Sequence, residues 1–113
     1  MWAAYHPGVT DCLFCKIVAG DIPAQVVHRT DTTLAFRDIA PAAPVHVLVI
    51  PIAHYPDLPA LAQADATLAG QVLATAAEVA KAEGLADDGY RLIFNTGRHA
   101  GQEVRHVHAH VLG

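Results

Sequence analysis

Near the C-terminus the chain reads His106-Val107-His108-Ala109-His110-Val111-Leu112, three histidines alternating with small or branched apolar residues. An apolar–polar alternation of this kind is the period of a half-buried β-strand. Successive side chains of a strand point to opposite faces, so the three imidazoles share one face while Val107, Ala109 and Val111 turn into a core. Imidazole gains or loses a proton near neutral pH, attacks electrophiles and binds metals. The residues alone leave three readings open. They are a surface strand whose polar face uses histidine, a His-x-His pair on a catalytic metal, and a nucleophilic imidazole supported by its neighbours.

The rest of the composition narrows the setting. With 113 residues, 53% of them hydrophobic, the chain is expected to form one domain with a real core, and small domains often complete their burial by pairing. The net charge of −4 argues against a general nucleic-acid binder or an acidic-membrane binder, which would carry a basic excess. A single anionic ligand is still allowed, because local donors can hold a phosphate on an acidic protein. No apolar run reaches the roughly 18 residues that span a bilayer. The N-terminus lacks the basic start and apolar stretch of a signal peptide, so a cytoplasmic location is expected. In that reducing compartment Cys12-Leu13-Phe14-Cys15 suggests a metal or redox site more than a structural disulfide.

Residues 1–10 read as a loose lead-in. Asp11 is placed to cap a short helix that Gly20 ends, with Leu13, Phe14, Ile17 and Val18 on its apolar side. Residues 24–28 and 33–38 read as strands around a turn, and residues 45–50 as a strong strand that Pro51 stops. The stripe Leu61, Leu68, Val72, Ala76 and Val79 marks one long helix over residues 65–83, capped at Gly84. Residues 87–89 form a turn, residues 90–95 a strand, and a glycine-bearing loop over 96–101 leads to the histidine strand. The expectation is an α+β fold: a five-stranded antiparallel sheet with one short and one long helix, the helices on one face.

The histidine pattern, followed by two apolar residues, resembles the signature of the histidine triad superfamily of nucleotide hydrolases and transferases. The likeness extends over residues 13–24, over Leu34-Ala35-Phe36-Arg37-Asp38-Ile39-Ala40-Pro41, over Pro44-Val45-His46-Val47-Leu48-Val49-Ile50-Pro51, and over Gly101-Gln102-Glu103-Val104. It is closest to the Hint branch, the nucleoside phosphoramidases. The resemblance implies a homodimer with the sheet continued across the two-fold axis, and a purine nucleotide as ligand (AMP, GMP or an adenylate conjugate).

It also implies a catalytic set. His108 would attack the α-phosphorus to form a nucleotidyl-imidazole, which water then hydrolyses to the nucleoside monophosphate. The backbone carbonyl of His106 would fix the tautomer of His108, His110 would donate to the phosphate and assist proton traffic, and His46 would stand beside them. Asn95 and the amides of Gly101, Gln102, Glu103 and Val104 would complete a phosphate pocket, since phosphoryl transfer depends mostly on positioned donors. Asp38 would accept hydrogen bonds from the ribose hydroxyls. Leu13, Phe14, Ile17, Phe36, Ile39 and Leu48 would wall the base. Read locally, the glycine loop is a plain turn, Asp38 a strand-end residue and the apolar set ordinary core. No cofactor is required for this chemistry.

Some members of the superfamily bind zinc through two cysteines, the first triad histidine and a histidine after the Ile-Pro strand end. Here that set is Cys12, Cys15, His54 and His106, a tetrahedral structural site that leaves His108 free. The alternative is a reduced dithiol without metal. His6, His28 and His99 carry no signal and are expected at the surface. Two departures stand out: Glu103 occupies a position where Hint relatives commonly carry serine, and the chain ends at Gly113, where relatives continue into a tail on the leaving-group side. The rival activities are dinucleoside polyphosphate hydrolysis, nucleotidyl transfer, a metallohydrolase, and nucleotide binding without turnover.

Overall fold

The computed structural model describes residues 11–113; the lead-in expected over residues 1–10, with His6, lies outside the described residues. The elements are α1 (Leu13–Ala19), β1 (Val26–Arg29), β2 (Thr33–Arg37), β3 (His46–Pro51), α2 (Leu58–Ala64), α3 (Ala66–Ala82), β4 (Arg91–Phe94) and β5 (Ala109–Leu112), with a 3-10 turn at Arg98–Ala100. The strands form one sheet in the order β1-β2-β3-β5-β4, each neighbouring pair antiparallel. This is the expected α+β architecture.

The alternation in the strands builds two cores. Val47 and Val49 of β3 and Ala109 and Val111 of β5 turn to one face, where Leu68, Val72, Ala76 and Val79 of α3 cover them. His46, Leu48 and Ile50 turn to the other face, where Leu34, Phe36 and Phe14 form a second buried cluster. The helices were expected on one face, and here they divide. α2 and α3 pack on the first face, whereas α1 lies on the second through Phe14 and closes a cavity there.

Three local expectations are corrected. Cys12, rather than Asp11, caps α1, its Sγ accepting from Cys15 N at 3.4 Å. The expected long helix is preceded by a separate one, α2, to which Leu61 belongs. Asp57 caps α2 through Ala60 N at 3.1 Å, with a proline in its first turn, and Asp65 caps α3 through Leu68 N at 2.9 Å. The Asp57-Leu58-Pro59 start signal was present in the sequence. Finally, β5 pairs only from Ala109, because at Val107 the N–H donates to Tyr55 O at 2.7 Å, outside the sheet. Val107 nevertheless stays in the first core, so the alternation holds without regular pairing.

At the end of α3, Gly84 takes φ +79° just past the last helical turn. The amides of Gly84 and Leu85 return to Lys81 O and Ala80 O at 3.1 and 2.9 Å. This satisfies the helix's last carbonyls in the left-handed closing motif that glycine favours. His28 and His99 are exposed, as expected.

Candidate active site

The register brings the histidines together on the second face. Leu48 of β3 stands opposite His110 of β5, and Phe36 of β2 opposite Leu48. His46, two residues before Leu48, therefore lies diagonal to His110, and its Nε2 is 2.9 Å from His110 Nδ1. A cavity of about 570 Å³ opens here, walled by Phe14 and Ile17 of α1, Phe36 and Leu48 of the sheet, and the histidines 46, 108 and 110. Its size suits a nucleotide-sized ligand, since ligand cavities run from about 300 to 1,000 Å³.

Hydrogen bonds fix the proton on each ring. His108 Nδ1 lies 2.8 Å from the His106 carbonyl oxygen, which only accepts, so Nδ1 carries the hydrogen and Nε2 keeps its lone pair. The backbone N–H of Ala42 donates to His46 Nδ1 at 3.0 Å, so His46 carries its hydrogen on Nε2 and donates it to His110 Nδ1. His110 is thereby left with Nε2–H, and Asn95 Nδ2, itself a donor, stands 3.4 Å from it, so both point hydrogens at what the cavity holds. The site thus presents one nucleophilic nitrogen and these two donors. Burial is the first cause of a lowered pKa at both rings, bringing His110 to about 4 and moving His108 in the same direction. At His110 the neighbouring His108 and His46 add to the effect, and Asp38 opposes it. Both rings are neutral at pH 7.

α1 packs against the histidine strand through Phe14. The Phe14 ring meets His108 edge-on at 5.1 Å and 85°, and Phe36 at 5.3 Å and 75°. Asp38, at the end of β2, accepts from Ala40 N at 2.8 Å and places its other oxygen 3.5 Å from His46 Nε2. Ile39 sits at the cavity mouth and is 99% exposed, unlike the buried Phe36 and Leu48. Leu13, Asn95, Gly101, Glu103 and Val104 also line the cavity.

The loop over residues 101–104 divides its labour. The amides of Gly101 and Gln102 are taken by Arg98 O and Gly97 O at 3.0 and 3.1 Å. The Gln102 side chain braces the loop, reaching Gly97 N, Pro56 O and Val104 O at 2.7–3.0 Å. Among the described residues this leaves the amides of Glu103 and Val104 as the loop's unpartnered donors.

Cys12, Cys15, His54 and His106 converge, their donor atoms within 4.8 Å of one another. His106 Nε2 donates to Pro51 O at 2.8 Å, which turns the Nδ1 lone pair towards the cysteines. The separations are 3.4 Å from Cys12 Sγ to His106 Nδ1, 3.3 Å from Cys15 Sγ to His54 Nδ1, and 3.2 Å between the two Nδ1 atoms. A tetrahedron with Zn–N of about 2.0 Å and Zn–S of about 2.3 Å has edges of roughly 3.3–3.8 Å. The donor set fits a zinc ion, and the Pro51 carbonyl supplies the outer hydrogen bond such ligands use. Without a metal, burial and the Cys12 thiol push Cys15 up to about 12.

Asp38, His46 and His110 also lie close enough to suggest a metal site. The Ala42 N–H opposes it: a metal on His46 Nε2 would force the ring hydrogen onto Nδ1, against that donor. The triad cannot share one metal either, since His106 faces the cysteines, His108 the backbone and His110 the ring of His46. The Pro51 carbonyl and the Ala42 amide, which set these tautomers, were not found from the sequence, because a backbone group leaves no mark on residue type.

Comparison with known proteins agrees with this construction. The HIT domain family matches residues 19–113. The purine nucleoside phosphoramidase of Escherichia coli K12 is 45% identical over 103 residues, covering 91% of this chain and 87% of that protein. Protein HitA of Neisseria gonorrhoeae is also 45% identical, over 91% of this chain and 95% of its own length. The crystal structure of a HIT family hydrolase from Legionella pneumophila superimposes with a TM-score of 0.87 at 48% identity, over 91% of this chain and 92% of that one. This chain belongs to the HIT domain family.

Proposed function

We propose that the chain is a single-domain hydrolase that cleaves purine nucleoside 5'-phosphoramidates, or related adenylates, to the nucleoside monophosphate through a nucleotidyl-histidine intermediate. The observation that carries this reading is His108, neutral, with Nδ1–H bound to the His106 carbonyl and Nε2 left for the cavity. The names of the E. coli and L. pneumophila relatives support the reaction class.

Asp38 accepts from the ribose hydroxyls, the apolar walls take the base, and the Glu103 and Val104 amides with Asn95 hold the phosphate. His108 Nε2 attacks phosphorus while the P–N bond to the amine breaks. The leaving nitrogen takes the electron pair and a proton from solvent water, while His110 Nε2–H donates a hydrogen bond to a phosphate oxygen. In the second step water attacks phosphorus, its proton passes to solvent, and the P–Nε2 bond breaks to return neutral His108. His46 acts through His110, donating to Nδ1 so that the hydrogen sits on Nε2. It is a positioning residue.

Zinc on Cys12, Cys15, His54 and His106 is a structural cross-link between α1 and the approach to β5, and it supplies no step. A thiol pair kept unbridged suits the cytoplasm. Pairing of two chains through β4, which forms one edge of the sheet and leaves Tyr90 and Leu92 exposed, completes the assembly as a homodimer.

The test is AMP release from adenosine 5'-phosphoramidate, beside His108→Ala. The wild type should turn over and the folded variant should lose about 10⁴-fold or more, the scale on which an enzyme loses its nucleophile. Acid quench of the wild type should trap a nucleotide on His108. A wild type that binds AMP without turnover would refute the hydrolase and favour a nucleotide-binding regulator.

A further inference from the structure

The charges lining the nucleotide cavity are unusual for a site that accepts phosphate. Among the described residues its carboxylates are Asp38 and Glu103, and its one guanidinium is Arg37. Arg37 is already committed: both of its terminal nitrogens bond the carboxylate of Glu83, at 2.7 and 3.1 Å. Asp38 is held by Ala40 N–H and lies near His46. Glu103 is exposed and, among the described residues, makes no hydrogen bond or ion pair. Among the described residues the cavity therefore has amide donors for one phosphate group and no free cation for a second.

Glu103 also stands where two spaces meet. A smaller cavity of about 220 Å³ adjoins the nucleotide cavity, and Leu13, Glu103 and Val104 line both. Asp11 lines the smaller cavity too, while Arg105, its one cation among the described residues, is drawn to Asp57 at 3.7 Å. Because the amide of Glu103 is one of the phosphate donors, its own side chain is only a few bonds from the reacting phosphorus. A carboxylate so placed acts on whatever leaves.

We propose that Glu103 selects the leaving group: the site favours nucleoside phosphoramidates whose leaving amine bears a second, cationic nitrogen, and it disfavours leaving groups that bring further negative charge. This rests on the phosphoramidase reading and names its substrate class. The bond changes are those already given. The second ammonium remains protonated throughout and lies against Glu103, with Asp11 beyond it. Dinucleoside polyphosphates, whose leaving group is anionic, meet the same carboxylate as repulsion.

Three adenosine 5'-phosphoramidates of equal chain length test this, with leaving amines ending in ammonium, methyl or carboxylate. The readout is the ratio of kcat/KM among them, which a general loss of activity does not move. The wild type should prefer the cationic over the neutral substrate by about tenfold, as expected for charges a few ångströms apart at a partly screened site. The anionic substrate should be slowest. Glu103→Gln should bring the cationic-to-neutral ratio to within about twofold, and Glu103→Lys should reverse the order of the charged pair. A charge ratio near one in the wild type, or one unchanged in Glu103→Gln, overturns the proposal while the phosphoramidase stands. Failure of the wild type to cleave any of the three overturns the phosphoramidase reading, and this inference with it.

Discussion

At the scale of the residue, what distinguishes the three triad histidines is which nitrogen each one commits. His106 gives Nε2 to a carbonyl and offers Nδ1 to the cysteines, whereas His108 gives Nδ1 to a carbonyl and keeps Nε2 for the cavity. His110 receives on Nδ1 and donates from Nε2 because Ala42 has set the tautomer of His46. Burial has a consequence for pH. The acid limb of the kcat/KM profile should lie below 6.5, the ordinary histidine value, because burial lowers both His108 and His110. His46→Ala opens His110 to water and removes a neighbour that depresses it, so the acid limb should move up towards 6.5 as the rate falls. A purely structural His46 would lower the rate without moving that limb. Stability follows the same sign. Between pH 6.5 and about 4 the unfolded chain binds a proton that folded His110 refuses, so stability declines as pH falls through that window.

At the scale of the element, the two faces of the sheet have separate tasks. α3 supplies core and little else, burying Leu68, Val72 and Val79 against the back of β3 and β5. α1 brings one buried aromatic, Phe14, to the ring of His108. Truncations on the two faces should therefore differ in kind. Leu68→Ala should cost about 2–5 kcal/mol of stability by denaturant titration, while kcat of the folded enzyme is retained. Phe14→Ala should cost about 3–5 kcal/mol and also lower kcat, because the His108 ring loses its edge contact. Equal kcat in the two variants would mean that α1 does not position the nucleophile.

At the scale of the whole molecule, the Cys/His cluster and the open sheet edge are the features that reach beyond one chain's core. A strong chelator, or Cys12→Ser with Cys15→Ser, should lower Tm by about 10 °C or more, as expected when a structural zinc site is lost from a small domain. AMP release should persist below the new Tm; loss of turnover while the fold survives would give the metal a catalytic role. Sedimentation should give a particle of about twice the chain's 11.9 kDa. Leu92→Lys, placing a charge in the edge strand β4, should shift it to the monomer. A wild-type monomer at micromolar concentration would exclude the β4 dimer.

The sequence by itself determined the α+β class, the strand count and the division of histidines from core valines, because period-2 alternation needs no tertiary information. It located the ends of α3 at Asp65 and Gly84, since a cap and a left-handed turn act over a few residues. Asp57-Leu58-Pro59 carried a start signal as well, but Leu61 fitted the stripe of the next helix and concealed the break at Asp65. The Cys12, Cys15, His54 and His106 grouping entered only through resemblance to a family. Its residues span 94 positions between Cys12 and His106, and spacing cannot report a distance across the fold. Tertiary structure alone decided that α1 lies on the active face, that the Gly101 and Gln102 amides are spent within their own loop, and that Arg37 is taken by Glu83. Each depends on where a distant backbone or carboxylate comes to rest. Residue type states what a group can do, and packing decides which of its atoms remains free to do it.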